Sequence, residues 1–341
     1  MNHPSRFLII QTAFIGDVIL ATALVEELHA RYPEAAIDFL LRKGNESLLK
    51  DHPIINQLLI WDKKKGFVGK YGDLLRLLGE IRRNRYDVVI NLQRFGATGL
   101  LTAFSQAPVR AGFDKNPFSR YFTHRAMHQI LPGIHEVDRN AEVLEVIGLD
   151  RPRIRDRTRP RLYPAAADYD SIRHYQTRPY ICVAPTSVWF TKQYPRTKWV
   201  QFLKTLPGQY TVYLLGSPAD RETCAELVRE AGSPEDVINL CGELSLLESA
   251  ALMQGAAMNY VNDSAPLHLC SAMNAPTAAV FCSTVPEFGF GPLADESHLI
   301  QLDEVLECRP CGLHGRKRCP LGHFYCAHGI RTEQLLAVLR D

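Results

Sequence analysis

The chain has 341 residues, 46% hydrophobic and 22% charged, with a formal net charge of +2. That length exceeds one ordinary core and predicts two domains. The near-neutral balance gives no whole-chain case for nucleic-acid binding and confines any basic partner site to a local patch. No unbroken apolar stretch is long enough to span a bilayer. The N-terminus, MNHPSRFLIIQ, lacks the long apolar core and cleavage site of a signal peptide, so a cytoplasmic protein is expected. Nine cysteines in a long, unsecreted chain read as thiols or a metal site rather than a disulfide framework.

The first half alternates short apolar runs with helical patterns. FLII (7–10) reads as a strand. The helix that follows places Val18, Ala21, Thr22, Val25 and Leu28 on one face. IDFLL (37–41) and LLIW (58–61) are further strands, DLLRLLGEIRRN (73–84) is an amphipathic helix, and DVVINL (87–92) is a buried strand. HEVDRNAEVLEVIGL (135–149) is a helix closed by a glycine stop. Strands alternating with helices predict parallel βαβ units.

The composition then shifts. Residues 150–168 carry arginine at 151, 153, 155, 157, 159 and 161 among three prolines, which marks the interdomain boundary. If extended, the segment would place these arginines on one face as an anion-binding strip; the blander reading is a self-repelling linker. The domains are expected at 1–165 and 166–330, with a terminal helix over 331–341. The second half restarts the alternation. Strands are expected at 180–185, 211–216, 258–263 and 277–281. The helices are expected at 197–206 (with Thr197 as N-cap), 221–231, 245–256, 264–273 and 332–339. Ser245 and Glu248 form the S-x-x-E capping-box pattern. The fold class is therefore α/β, with two facing Rossmann-like domains and a ligand cleft between them.

Ligands in doubly wound sheets bind beyond the carboxyl ends of strands. Polar groups gather there at Gly16–Asp17, 185–195, 216–222 and 262–268. No G-x-G-x-x-G follows a strand and no Walker loop appears, which argues against the usual NAD enzymes and against P-loop ATPases. A diphosphate could still bind in the second half. Thr186 and Ser187 offer hydroxyls, Lys192 a positive charge, and the helix opening at Ser264 free backbone N–H groups. The plainer alternatives are a polar turn for Thr186 and Ser187, a solvated lysine, a cap for Asp17 or Asp263, and a core histidine for His268.

Three motifs in order carry a resemblance: G-D-V-x-x-A-T from Gly16, K-x-x-P-x-x-x-W from Lys192, and N-D-S-x-P-x-H from Asn262. The chain resembles the bacterial ADP-heptose:lipopolysaccharide heptosyltransferases of glycosyltransferase family 9 over nearly its whole length. The resemblance implies a GT-B fold with the acceptor on the N-terminal domain and the donor mainly on the C-terminal one. It implies inverting transfer of heptose from ADP-heptose to the inner core of lipopolysaccharide, a lipid-anchored oligosaccharide acceptor, in a single displacement that needs no metal for chemistry. Asp17 would be the general base. Thr186, Ser187 and Lys192 would hold the diphosphate. Asp263 would meet the donor sugar, beside Ser264, Ala265 and His268, and Glu222 would meet the ribose, with Asp220 competing for that role.

Two positions depart from the family. Ala265 stands where glycine is common, which leaves the donor open, and Tyr194 stands where tryptophan is common. An anionic acceptor calls for basic groups in the first domain; Lys63, Lys64, Lys65, Arg94 and Arg120 are the candidates, against the reading of solvated surface charge. WDKKKG (61–66) also suits peripheral contact with the cytoplasmic face of the inner membrane. The final motif is C-x2-C-x7-C-x6-C at Cys308, Cys311, Cys319 and Cys326. A structural zinc is one reading of it and a packed loop of free thiols the other. Two alternatives to the heptosyltransferase remain: a GT-B transferase using another nucleotide sugar, and a nucleotide-binding core-assembly protein without catalysis.

Overall fold

The computed structural model describes residues 4–63, 67–149 and 158–339. The chain splits into two compact units, Met1–Tyr163 and Pro164–Asp341. The first contains, in order, β1 (Arg6–Ile10), α1 (Ile15–Arg31), β2 (Ala36–Arg42), β3 (Ile55–Trp61), α2 (Phe67–Asn84), β4 (Val88–Asn91), α3 (Gly96–Ala103), β5 (Val109–Phe113), β6 (His124–Ala126) and α4 (Glu136–Glu145). Its sheet is parallel throughout, in the order β3-β2-β1-β4-β5-β6. The central strands β1 and β4 are apolar and buried because a parallel strand is covered on both faces. Leu8, Ile10, Leu40, Leu77, Ile81 and Val89 share one core cluster.

The second unit contains α5 (Ala166–Ile172), β7 (Tyr180–Ala184), α6 (Arg196–Thr205), β8 (Thr211–Leu214), α7 (Arg221–Glu230), β9 (Val237–Asn239), α8 (Leu246–Gln254), β10 (Met258–Asn262), α9 (Ala265–Met273), β11 (Thr277–Phe281), β12 (Ser297–Gln301), α10 (Tyr325–His328) and α11 (Thr332–Leu336). The parallel sheet runs β12-β11-β10-β7-β8-β9. Counted from β7, this is the strand order of the first unit. Each sheet therefore reverses direction beside its first strand, between β1 and β4 and between β7 and β10. The crevice at such a reversal is where doubly wound folds bind ligands.

Several local expectations change. Thr197 does not cap α6. The helix starts one residue earlier, and the Pro195 carbonyl accepts from Lys198 N and Trp199 N at 2.9 and 3.0 Å. Proline, with its fixed φ, sets that entry better than a threonine side chain would. The cap of α8 forms as expected: Ser245 Oγ accepts from Glu248 N at 3.1 Å, and Glu248 Oε2 accepts from Ser245 N at 2.7 Å. The terminal α11 is part of the second unit; Leu335 is fully buried in its core, and its carbonyl accepts from Tyr260 OH at 3.0 Å. Tyr194 is also buried there, packed edge-on against Trp199 with centroids 5.1 Å apart.

Arg151, Arg153, Arg155 and Arg157 lie outside the described residues. The following stretch, 158–163, runs along α1. Arg161 N donates to Thr22 Oγ1 at 2.9 Å, Tyr163 OH donates to Glu26 Oε1 at 2.9 Å, and Thr158 bonds Glu27. Among the described residues, no helix is long and apolar enough to cross a membrane.

Candidate active site

At the reversal in the second sheet, β10 ends on Asn262, whose buried side chain staples the loop after β7. Its Oδ1 accepts from Tyr194 N at 2.9 Å and its Nδ2 donates to Pro185 O at 2.8 Å. The staple fixes both ends of the segment that carries Thr186, Ser187 and Lys192. Lys192 closes a single 3-10 turn, Phe190–Lys192. Its Nζ lies 2.7 Å from Asp263 Oδ2, with both side chains largely buried. Thr284, in the loop after β11, donates to the same oxygen at 2.6 Å. Arg309 holds that loop by donating to the carbonyls of Phe281 and Thr284 and to Gln301 Oε1, at 3.2, 2.9 and 2.8 Å.

Helix α9 starts directly after this pair. Ser264 is its N-cap, but its side chain makes no capping bond, and Pro266 contributes no N–H. Orphan backbone donors and the helix dipole favour an anion at such an end. His268, one turn in, is buried, and its Nδ1 has no hydrogen-bond partner. Burial pushes its pKa down to about 4; Asp263 pulls it up and Lys192 pushes it down further. The imidazole is therefore neutral at pH 7, with a nitrogen left for a ligand. A buried polar atom without a partner is costly in a finished fold, so this nitrogen calls for a partner that the chain itself does not supply.

Thr186 and Ser187 are half-buried, and neither hydroxyl is hydrogen-bonded among the described residues. The structure brings these two, Lys192, Asp263, Ser264, Ala265 and His268 to one strand-end rim. Glu222 is bonded elsewhere: Arg229 on its own helix donates to it at 2.8 Å. Its rival Asp220 caps the turn after β8, accepting from Ser217 N at 2.8 Å and Ser217 Oγ at 2.5 Å.

The cysteine loop packs against this rim. Thr191 N donates to Arg316 O at 3.0 Å, Arg316 N donates to Thr191 Oγ1 at 2.7 Å, and Cys311 N donates to Ser283 O at 2.8 Å. All nine cysteines are free. Among the described residues, no group of three or more His, Cys, Asp or Glu is placed to hold a metal ion. Cys308, Cys311, Cys319 and Cys326, the four cysteines of the motif, lie in this loop with free thiols. Cys311 Sγ turns to the Cys308 carbonyl at 3.3 Å, and Cys326 is buried in the unit's core. Burial and the neighbouring sulfurs push Cys326 up to about 11 and raise Cys311, so both are thiols at neutral pH.

In the first unit, Asp17 occupies the third position of α1, and Phe14 N donates to its Oδ2 at 3.1 Å. It is thus a helix cap as well as a strand-end carboxylate. A second acid stands in its field. Burial pushes the Glu136 carboxyl up, Arg139 pulls it down, and Asp17 adds to the rise. Two Arg139 nitrogens hold Glu136 Oε2 at 2.8 and 2.7 Å. Arg94 is exposed and acts on Glu136 and on His128, whose pKa falls to about 4 through burial first and then Arg94 and Arg139. Lys63 lies at the same end of β1, donating to Thr12 O at 2.8 Å and Thr12 Oγ1 at 2.9 Å, with its ammonium over Trp61. Arg120 stacks instead on its neighbour Tyr121. Lys64 and Lys65 lie outside the described residues.

The sequence profile of the family described as glycosyltransferase family 9 (heptosyltransferase) matches residues 74–319. The chain belongs to glycosyltransferase family 9. Among its relatives, it is 27% identical to lipopolysaccharide heptosyltransferase 3 of Escherichia coli, over 80% of this chain and 82% of that one. In fold it resembles a glycosyl transferase family 9 protein of Veillonella parvula, with a TM-score of 0.84 at 21% identity, covering 98% of this chain and 96% of that one. It also resembles the E. coli ADP-heptose lps heptosyltransferase II, with a TM-score of 0.78 at 22% identity and 98% coverage of both chains.

For this glycosyltransferase, the residues that sequence reading missed are mostly supports. Asn262 lay inside a quoted motif without a role. Thr284 and Arg309 had no signal, because their partners are carbonyls and a carboxylate on distant loops. Glu136 read as the first turn of a helix, and only the fold brings it to Asp17.

Proposed function

We propose that this family 9 glycosyltransferase transfers heptose from ADP-heptose to the inner core of lipopolysaccharide, with inversion at the anomeric carbon. The observation that carries the reading is the Lys192–Asp263 pair beside the uncapped start of α9, with the orphaned Nδ1 of His268 within one turn. It is an anion site with sugar-directed polar groups, and the relatives' names speak of heptosyl transfer to lipopolysaccharide. One solved relative is named with ADP.

In this reading the second unit holds the donor. Lys192 lets go of Asp263 and turns its ammonium to the diphosphate as ADP departs, and Thr284 keeps the Asp263 oxygen satisfied. The hydroxyls of Thr186 and Ser187 and the α9 N-terminus stabilise the charge that develops on ADP. Asp263 and His268 position the heptose. Glu222 reaches a ribose only by giving up Arg229. The first unit takes the acceptor through Lys63 and Arg94, with Lys64, Lys65 and Arg120 as further contacts, and Asp17 removes the proton of the attacking hydroxyl. Arg139 keeps Glu136 from competing for that proton. The enzyme works in the cytoplasm, in peripheral contact with the inner membrane that displays its acceptor.

Thermal-shift titration with ADP, UDP and GDP tests the donor assignment. The expected outcome is stabilisation by ADP at concentrations where the other two have no effect. Preference for UDP would favour a different nucleotide sugar, as the extra methyl of Ala265 would permit, and no response to any would refute a nucleotide site.

A further inference from the structure

Beside Lys192, and not including it, lies a cavity of about 770 Å³ lined by Trp189 and residues 315–322. Its walls carry Arg316, Lys317 and Arg318 in sequence and contain no acid. None of the three has a carboxylate partner among the described residues, and all are exposed. Unpaired cations of one sign in a concave wall concentrate anions. The lining also includes apolar groups: Trp189, Pro320 and Leu321. An aromatic face with a cluster of cations suits a sugar ring that bears a phosphate.

The loop is built in place rather than draped. Its backbone is bonded on both sides to Thr191, and Arg316 Nε reaches the Cys311 carbonyl at 3.4 Å. Gly315 has φ +73°, and a Cβ there would come within 3.0 Å of Lys192 Cγ and 3.1 Å of Thr191 Oγ1. Only glycine lets the loop sit this closely on the donor turn. Lys192 is engaged by Asp263, whereas the three cations of the loop have no carboxylate partner among the described residues and lie beside the same 189–192 turn.

We propose that this cavity of the second unit binds a phosphorylated sugar of the acceptor, in addition to the acceptor contacts assigned above to the first unit, through Lys317 and Arg318 on the phosphate and Trp189 on the ring. The word acceptor rests on the heptosyltransferase reading; the ligand chemistry does not. The test follows intrinsic tryptophan fluorescence, since Trp61 and Trp199 are buried and Trp189 alone of the three lines the cavity. The probes are a lipid-free core oligosaccharide with its phosphates intact, the same material dephosphorylated, and ADP. The intact oligosaccharide should bind the wild-type chain at least about tenfold more tightly than it binds the K317A/R318A double variant, a loss of about 1.4 kcal/mol. Dephosphorylation should remove the same increment from the wild type, and ADP affinity should be equal in both proteins. Equal affinity of the intact oligosaccharide for both proteins would overturn the proposal. So would a variant that loses ADP instead, which would assign the cavity to the donor. Phosphate-dependent binding in a chain that transfers no heptose would sustain the cavity and refute the proposed function.

Discussion

Asp263 Oδ2 is shared by an ammonium and a hydroxyl, and that sharing sets what substitutions at the rim should cost. Replacing Lys192 with methionine leaves a buried carboxylate with Thr284 alone. Breaking a buried pair from one side costs about 3–5 kcal/mol, and the remaining bond places K192M near the lower end. Urea denaturation should show that loss, and ADP titration should show affinity falling with it. Unchanged stability would mean that the pair is not formed in solution. The residues that sequence singles out are those whose chemistry is local to a motif: Asp17, Lys192 and Asp263. Glu222 also pairs with Arg229, two turns along α7, a contact that the sequence does not show. Asn262 and Arg309 act mainly on backbone atoms, and Thr284 on a carboxylate, that only the fold brings to them.

Elements follow the same division. The central strands β1, β4, β7 and β10 were legible because burial on both faces demands unbroken apolar runs. The strands β5 and β12 escaped because they are more polar, and β6 and β9 because they have three residues each; β6 is the triplet HRA, and Ile238 and Leu299 are exposed. The α8 cap was read correctly because its signature lies within four residues. Ser245→Ala should cost about 1 kcal/mol by chemical denaturation, without change in ADP affinity. Asn262→Ala should behave differently. It removes the staple that joins β10 to the loop of Lys192, so it should cost roughly 1–3 kcal/mol and weaken ADP binding as well. A loss of stability with full ADP affinity would contradict that positioning role.

Across the whole molecule, the two units repeat one strand order and each places polar side chains at its own reversal. The alternation of strands and helices made this doubling legible; strand order was not, since no sequence signal says which strand neighbours which. Burial also gives the molecule a pH profile. His52, His128 and His268 are each pushed down to about 4, with burial the largest cause. The unfolded chain takes up these protons below its ordinary value of 6.5 and the folded chain resists until about 4. Their contribution to stability is therefore present above pH 6.5 and lost as pH falls towards 4. Glu136, raised by burial, works in the opposite sense with one group against three. Denaturation midpoints should fall between pH 7 and pH 5, and a midpoint that held or rose would show these histidines to be solvated.

The most direct test of the account is steady-state transfer from ADP-heptose to a truncated-core acceptor by wild type and Asp17→Asn, with ADP affinity measured alongside. Loss of a general base lowers turnover by roughly 10²–10⁴-fold, so D17N should lose at least about a hundredfold in kcat while binding ADP as the wild type does. Near-normal turnover by D17N, or no transfer by the wild type, would contradict it.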